Sequence, residues 1–195
     1  MTLEQTISAI RPLDEKSMTA AQNRFANIAM PLGGLGLLQD AIVQLAGILG
    51  QPVPDISRRA AVVFCADNGV VAQGVTQTDS SVTAAVTRNL AAGRTSVCRM
   101  AQAAQCAVVP VDMGVRDFAP QPGVLARRIG NGTGDITQGP AMTRAQAEQA
   151  VWRARAVRTQ KEKGVRLLAT GEMGIGNTTT ASAVASVLLG RAPVE

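Results

Sequence analysis

The chain contains no histidine and no tyrosine, and aromatic residues make up only 2% of its 195 positions. Without histidine there is no Ser-His-Asp triad, no Cys-His dyad and no ordinary zinc site, so acid–base chemistry falls to carboxylates. The scarcity of aromatics removes the base-stacking platforms that single-stranded nucleic acid requires, and it makes the core aliphatic. Three cysteines, Cys65, Cys98 and Cys106, show no C-x-x-C spacing. They read as buried free thiols in a reducing compartment, with no disulfide framework and no metal site. No apolar run approaches the roughly 20 residues of a membrane span, and no cationic-then-apolar leader opens the chain. A soluble cytoplasmic protein is the expectation.

What is present is aliphatic and mildly basic. Hydrophobic residues make up 46% and the net charge is +5. Seven basic residues lie between Arg144 and Arg166 against two acids, Glu148 and Glu162. They share a helix with an apolar stripe and no interleaved aromatics, so a solvated helix face is favoured over a nucleic-acid stripe. A positive balance also suits small anionic substrates.

Two parts are expected. Residues 1–56 read as a small helical segment, with helices over Asp14–Ile28 and Leu37–Leu49, and apolar positions in the second at Leu38, Ile42, Leu45 and Ile48 or Leu49. A glycine-rich turn separates them, and Gln51–Ser57 resembles a linker. From residue 57 the pattern alternates. Ala61–Ala66, Ala107–Val111 (interrupted by Pro110) and Val165–Thr170 read as buried strands. Val82–Leu90, Thr95–Gln105 and Ala181–Leu189 read as helices. Thr143–Gln146 forms a capping box that opens a long helix with Ala147, Val151, Ala154 and Val157 on one face. The fold class is therefore α/β: a Rossmann-like parallel sheet flanked by helices on both faces, with a small helical N-terminal subdomain.

Polar, glycine-containing turns follow each strand: Asp67-Asn68-Gly69, Asp112-Met113-Gly114 and Gly171 to Thr180. Open parallel sheets bind ligands at such carboxyl ends. A fourth glycine cluster, Gly130 to Asp135, lies in a long connection. Turn formation by their own side chains is the competing reading for Asp67, Asn68 and Asp112. The last turn, Gly171-Glu172-Met173-Gly174-Ile175-Gly176-Asn177-Thr178-Thr179-Thr180, is the most informative. Its glycines allow close approach to a ligand, Asn and Thr can cap the following helix, and that helix N-terminus suits a phosphate or carboxylate. It lacks the Walker lysine and the third glycine of the dinucleotide fingerprint.

These segments, in this order, resemble the nicotinate-nucleotide–dimethylbenzimidazole phosphoribosyltransferase family. The match is carried by Pro31 to Gly36, Gln44 to Gly47, Cys65 to Val70, Val82 to Ala84, Val111 to Val115, Gly139 to Thr143 and Gly171 to Thr179. The resemblance implies a homodimer that transfers phosphoribose from nicotinate mononucleotide to a benzimidazole nitrogen, in making the lower ligand of cobalamin, without cofactor or metal. It implies an auxiliary catalytic role for Glu172 on the ribose side and a wall for the aromatic base from Met173 and Ile175. A substrate loop built from Gly171, Gly174, Gly176, Asn177 and Thr178 follows from it too, with further substrate contacts from Asp67, Asn68 and Asp112. Thr78 falls where the family often has a serine near the benzimidazole.

The departures matter equally. Asn68 stands where the family has histidine, Val86 where it has glutamine, Thr78-Asp79 where it has serine-proline, and Met30 and Gly34 where it has lysine and serine. The acceptor could therefore be another azole or a phenol. The family's chains are longer and no glutamate here matches its general base, so an N-terminal part or a short paralogue is expected. Three functions stay open on this reading: the transferase, an inert nucleotide- or azole-binding module, and an assembly partner.

Overall fold

The computed structural model describes residues 3–154, 160 and 162–192. Its contacts divide the chain into two units, Met1–Asp55 and Ile56–Glu195.

The first unit is helical: α1 (Leu3–Ser8), α2 (Glu15–Ala26) and α3 (Leu37–Leu49). Asp14 caps α2 by accepting from the Lys16 N–H and the Ser17 hydroxyl. The buried seam joins Ser17 and Ala21 of α2 to Val43, Ala46 and Gly47 of α3. It is not the larger Leu38–Ile48 face that periodicity suggests: Leu38 is 57% and Ile48 63% exposed. Small residues win because the helices lie close, and a Cβ on Gly47 would fall 2.7 Å from Met18 Cγ.

The second unit carries four parallel strands in the order β3-β2-β1-β4: β1 (Arg59–Ala66), β2 (Cys106–Gly114), β3 (Leu125–Ala126) and β4 (Leu167–Met173). Runs of valine in β1 and β2 suit strands buried between neighbours. β3 was not expected; two residues leave no period to read. Pro110 sits in β2 opposite Val63, just short of the pairs that β3 makes with Val111 and Asp112. There one side of β2 has no ladder partner, and a missing N–H is tolerated.

One face of the sheet packs Val63 and Cys65 with Leu90 and Cys98, from α4 (Ser81–Ala91) and α5 (Ser96–Ala103), and with Phe118. The other face carries Val62 and Val111 with Phe64, Val109, Met113 and Leu168. The sheet is flanked by helices as expected, but the cover is uneven. Helices α6 (Arg144–Arg153) and α7 (Asn177–Leu189) bury no residue, and Val151 on the supposed core stripe of α6 is 64% exposed. Val157, placed on that stripe, lies outside the described residues. The Thr143–Gln146 capping box is present in both its hydrogen bonds. Cys65 and Cys98 are buried, whereas Cys106 is only half-buried on β2.

Candidate functional site at the carboxyl edge of the sheet

The turns after β1, β2 and β4 lie at one edge, because all three strands run parallel. Their carboxylates are used differently. Asp67 is fully buried, and one of its carboxylate oxygens, Oδ2, accepts from the Arg116 N–H at 2.7 Å. Its own N–H donates to the Gly114 carbonyl and its carbonyl accepts from Thr133, so the residue stitches β1 to β2 and to the glycine cluster. Asp112, 5% exposed, accepts from the Val115 N–H at 2.8 Å and pairs with Arg128 at 3.3 Å. Arg128 is in turn bonded to Asn131 and to the Phe118 carbonyl. Both aspartates thus do turn-forming work, although Asp67 uses only Oδ2 for it, and its Oδ1 is buried without a hydrogen-bond partner among the described residues.

The glycine cluster is likewise turned inward. Thr133 Oγ1 accepts from the Gly69 N–H at 3.0 Å, and a Cβ on Gly69 would lie 2.4 Å from the Gly134 backbone. Asp135 accepts from the Thr137 N–H and from Gln73, which holds its carboxyl below the usual carboxylate range.

The third turn differs from its sequence reading in two respects. Gly171, Glu172 and Met173 are not turn residues but the end of β4, paired with Val63, Phe64 and Cys65. Helix α7 begins at Asn177, four residues before Ala181. Its N-cap is Gly176 at φ +81°, with no side-chain cap, so neither Asn177 nor a threonine caps it. The glycines serve the protein's own packing: a Cβ on Gly174 would fall 2.0 Å from the Ala66 carbonyl oxygen, and one on Gly176 2.9 Å from Val71.

Glu172 is the exception to this inward use of charge. It is exposed, and its carboxylate has no hydrogen bond or ion pair to any other described residue. It lines a cavity of about 450 Å³ with Asn68, Gly174, Asn177 and Thr180. The first turn of α7 therefore borders the same space as a free carboxylate. Met173 lines this cavity and also packs on the Val63–Cys65 core. Ile175 takes part through its backbone, donating its N–H to Thr83 Oγ1 at 3.1 Å and accepting from Asn68 Nδ2 at 3.0 Å. Thr178 is exposed beside Asn177, whose side chain accepts the Thr178 N–H. Thr78 stands apart: it is exposed, its carbonyl accepts from Thr76 Oγ1, and it lines neither this cavity nor its neighbour.

A second cavity, of about 690 Å³, adjoins the first through Ala66 and lies over Met113, Ile129, Gly130 and Met142. Its wall joins the end of β2 and the Gly130–Gly134 cluster, both marked in the sequence, to residues 140–143 and the start of α6. Thr83 was missed. A polar residue inside the apolar Val82–Leu90 pattern was the available signal. Among the described residues no group of three or more Cys, Asp or Glu is placed to hold a metal.

A family model described as "Phosphoribosyltransferase" matches residues 10–195. The chain belongs to this phosphoribosyltransferase family. Among the family's curated members it is similar to the nicotinate-nucleotide–dimethylbenzimidazole phosphoribosyltransferase of Ruminiclostridium cellulolyticum, with 48% identity over 97% of this chain and 54% of the relative. The protein of the same name from Escherichia coli is 37% identical over 100% of this chain and 55% of its own length. The solved structure of the phosphoribosyltransferase of that name from Thermus thermophilus superimposes with a TM-score of 0.87 at 40% identity, over 92% of this chain and 55% of the other. The chain spans about half the length of the curated relatives it matches. The α/β fold expected from the sequence is that of this phosphoribosyltransferase structure.

Proposed function

We propose that this chain supplies part of an active site that transfers phosphoribose from nicotinate mononucleotide to 5,6-dimethylbenzimidazole or a related azole, releasing nicotinate, as a step in making the lower ligand of cobalamin. One observation carries the reading within the family: Glu172, exposed and without a partner among the described residues, shares a cavity with the N-terminal turn of α7. The positive end of a helix attracts a phosphate, although the Asn177 and Thr178 N–H groups already donate to the Gly174 carbonyl and to Asn177 Oδ1, and a carboxylate stabilises positive charge that develops on the ribosyl carbon. The pyridinium leaving group departs neutral at its ring nitrogen and needs no acid. The attacking azole loses its N–H proton and needs a base. Neither task calls for histidine, metal or cofactor. Gly171, Gly174, Gly176, Asn177 and Thr178 shape the substrate loop, Met173 and Ile175 wall the aromatic base, and Thr78 lies near the benzimidazole. In the same reading the protein works in the cytoplasm, where three free thiols persist, and as a homodimer, with no nucleic acid among its partners.

One observation favours a second reading. Among the described residues Glu172 is the only ionisable side chain lining its cavity, so a binding module without its own base fits these residues as well. Nicotinate release separates the two. The chain is incubated with nicotinate mononucleotide and dimethylbenzimidazole, alone and with polypeptide matching the relatives' remaining length. Release only in the second case supports a shared active site. Release by the chain alone, above a heat-denatured control, places a base within these residues. No release in either case, with donor binding retained, leaves the binding module.

A further inference from the structure

The Ile175 backbone is held at both its N–H and its carbonyl by side chains from two other segments. Its N–H donates to Thr83 Oγ1 at 3.1 Å, and its carbonyl accepts from Asn68 Nδ2 at 3.0 Å. Thr83 lies on α4 and is completely buried, while Asn68 follows β1. The other end of the Asn68 amide accepts from the Thr180 hydroxyl at 3.0 Å, one turn into α7. Asn68 therefore ties the loop before α7 and the first turn of α7 to the end of β1, and Thr83 ties the Ile175 N–H to α4. Between Glu172 and α7 the backbone has little freedom left, since Gly174 already rests on the Ala66 carbonyl.

We propose that Thr83 and Asn68 are positioning residues for the transfer reaction, fixing the Ile175 backbone so that Glu172 and the N-terminal turn of α7 face one bound donor. This rests on the proposed function and goes beyond it. Asn68 acts on the loop, not on the substrate, and Thr83 acts although it lines neither cavity. The chemistry is specific. A buried threonine hydroxyl is an acceptor that valine of the same shape lacks, and an amide side chain supplies donor and acceptor at once. Aspartate at 68 keeps the acceptor for Thr180 but sets a carboxylate against the Ile175 carbonyl.

The distance from the reacting groups defines the test. A one-ångström misplacement of a site element is enough to weaken a reaction strongly without unfolding the protein. Thr83→Val, Thr83→Ser and Asn68→Asp are made in the full chain. Calorimetry measures nicotinate mononucleotide binding, and amide exchange is followed at Ile175 and across β1 and β2. The expected result for Thr83→Val and Asn68→Asp is exchange at or next to Ile175 faster by at least tenfold, protection in β1 and β2 unchanged, and donor binding about tenfold weaker. Thr83→Ser, which retains the acceptor, restores both readouts. Faster exchange with wild-type binding overturns the positioning role, and unchanged exchange overturns the clamp itself. Equal loss of protection throughout the sheet assigns the two residues to stability alone and overturns the proposal. A wild-type chain that binds no donor defeats the proposed function first, and is thereby distinguished from variants that merely bind as wild type does.

Discussion

At the ends of β1 and β2 the carboxylates of Asp67 and Asp112 are buried and accept backbone N–H groups, whereas at the end of β4 Glu172 is exposed and has no partner among the described residues. All three residues occupy the edge where parallel sheets bind ligands, and all three are acidic. The difference lies in what crosses beside them. Next to β1 and β2 runs the Arg116–Asp135 connection, whose backbone donors and Arg128 use both aspartates. β4 pairs with β1 alone, and α7 leaves it with no loop folded back over Glu172 among the described residues. Charge at this edge is thus bonded within the protein or left exposed according to whether the chain returns across it.

The comparison can be broken most severely at Gly174. Gly174→Ala sets a methyl group 2.0 Å from the Ala66 carbonyl, and overpacking against backbone costs about 3 kcal/mol or more. Thermal unfolding should show that loss, or separation of the β4 end from β1; a near-wild-type midpoint would mean that the loop has room that the structure denies. Next in size is Asp67→Ala, which leaves the Arg116 N–H without its acceptor beside a buried space. A cost of roughly 2–3 kcal/mol in urea unfolding is expected. Arg128→Ala should cost about 1 kcal/mol, because Arg128 is partly exposed and Asp112 keeps the Val115 N–H.

Acid should act on the turn carboxylates Asp79 and Asp135. The Ser81 hydroxyl and N–H lower the pKa of Asp79, and the Thr137 N–H and Gln73 lower that of Asp135. A carboxyl whose folded pKa lies below its unfolded value stabilises above the unfolded value, and that contribution is lost as pH falls through the folded one. The melting midpoint should therefore drop below about pH 4, and Asp79→Asn should flatten the drop. The smallest effect on stability belongs to Glu172→Gln, within about 0.5 kcal/mol of wild type. The same substitution should weaken turnover in the complete enzyme, and unchanged turnover would remove Glu172 from the mechanism.

Much of this architecture is legible in local pattern. Gly36, Gly50 and the apolar spacing between them delimit Leu37–Leu49, and the Thr143 capping box can be read residue by residue. Valine-rich runs mark β1 and β2 because a strand buried on both faces needs apolar residues throughout. The β4 end is harder. Gly171 and Glu172 are poor strand formers, and they are extended because β1 offers a ladder as far as Cys65. No local signal carries that pairing. The seam of α3 escapes for a related reason, since Val43, Ala46 and Gly47 are chosen by how closely α2 approaches and not by how apolar they are.

For the site, the sequence alone determined the chemical inventory: carboxylates without histidine, a glycine-rich run after a strand, and the family to which that run belongs. Those properties are written in residue identity and short spacing, and neither depends on what folds against them. Only the tertiary structure decided which carboxylate is exposed, that Gly174 answers to Ala66, and that Thr83 and Asn68 both bond the backbone of one residue, Ile175, 92 and 107 residues away along the chain. Such contacts join segments that have no local preference for each other, so they exist only once the parallel strands have brought their carboxyl ends together.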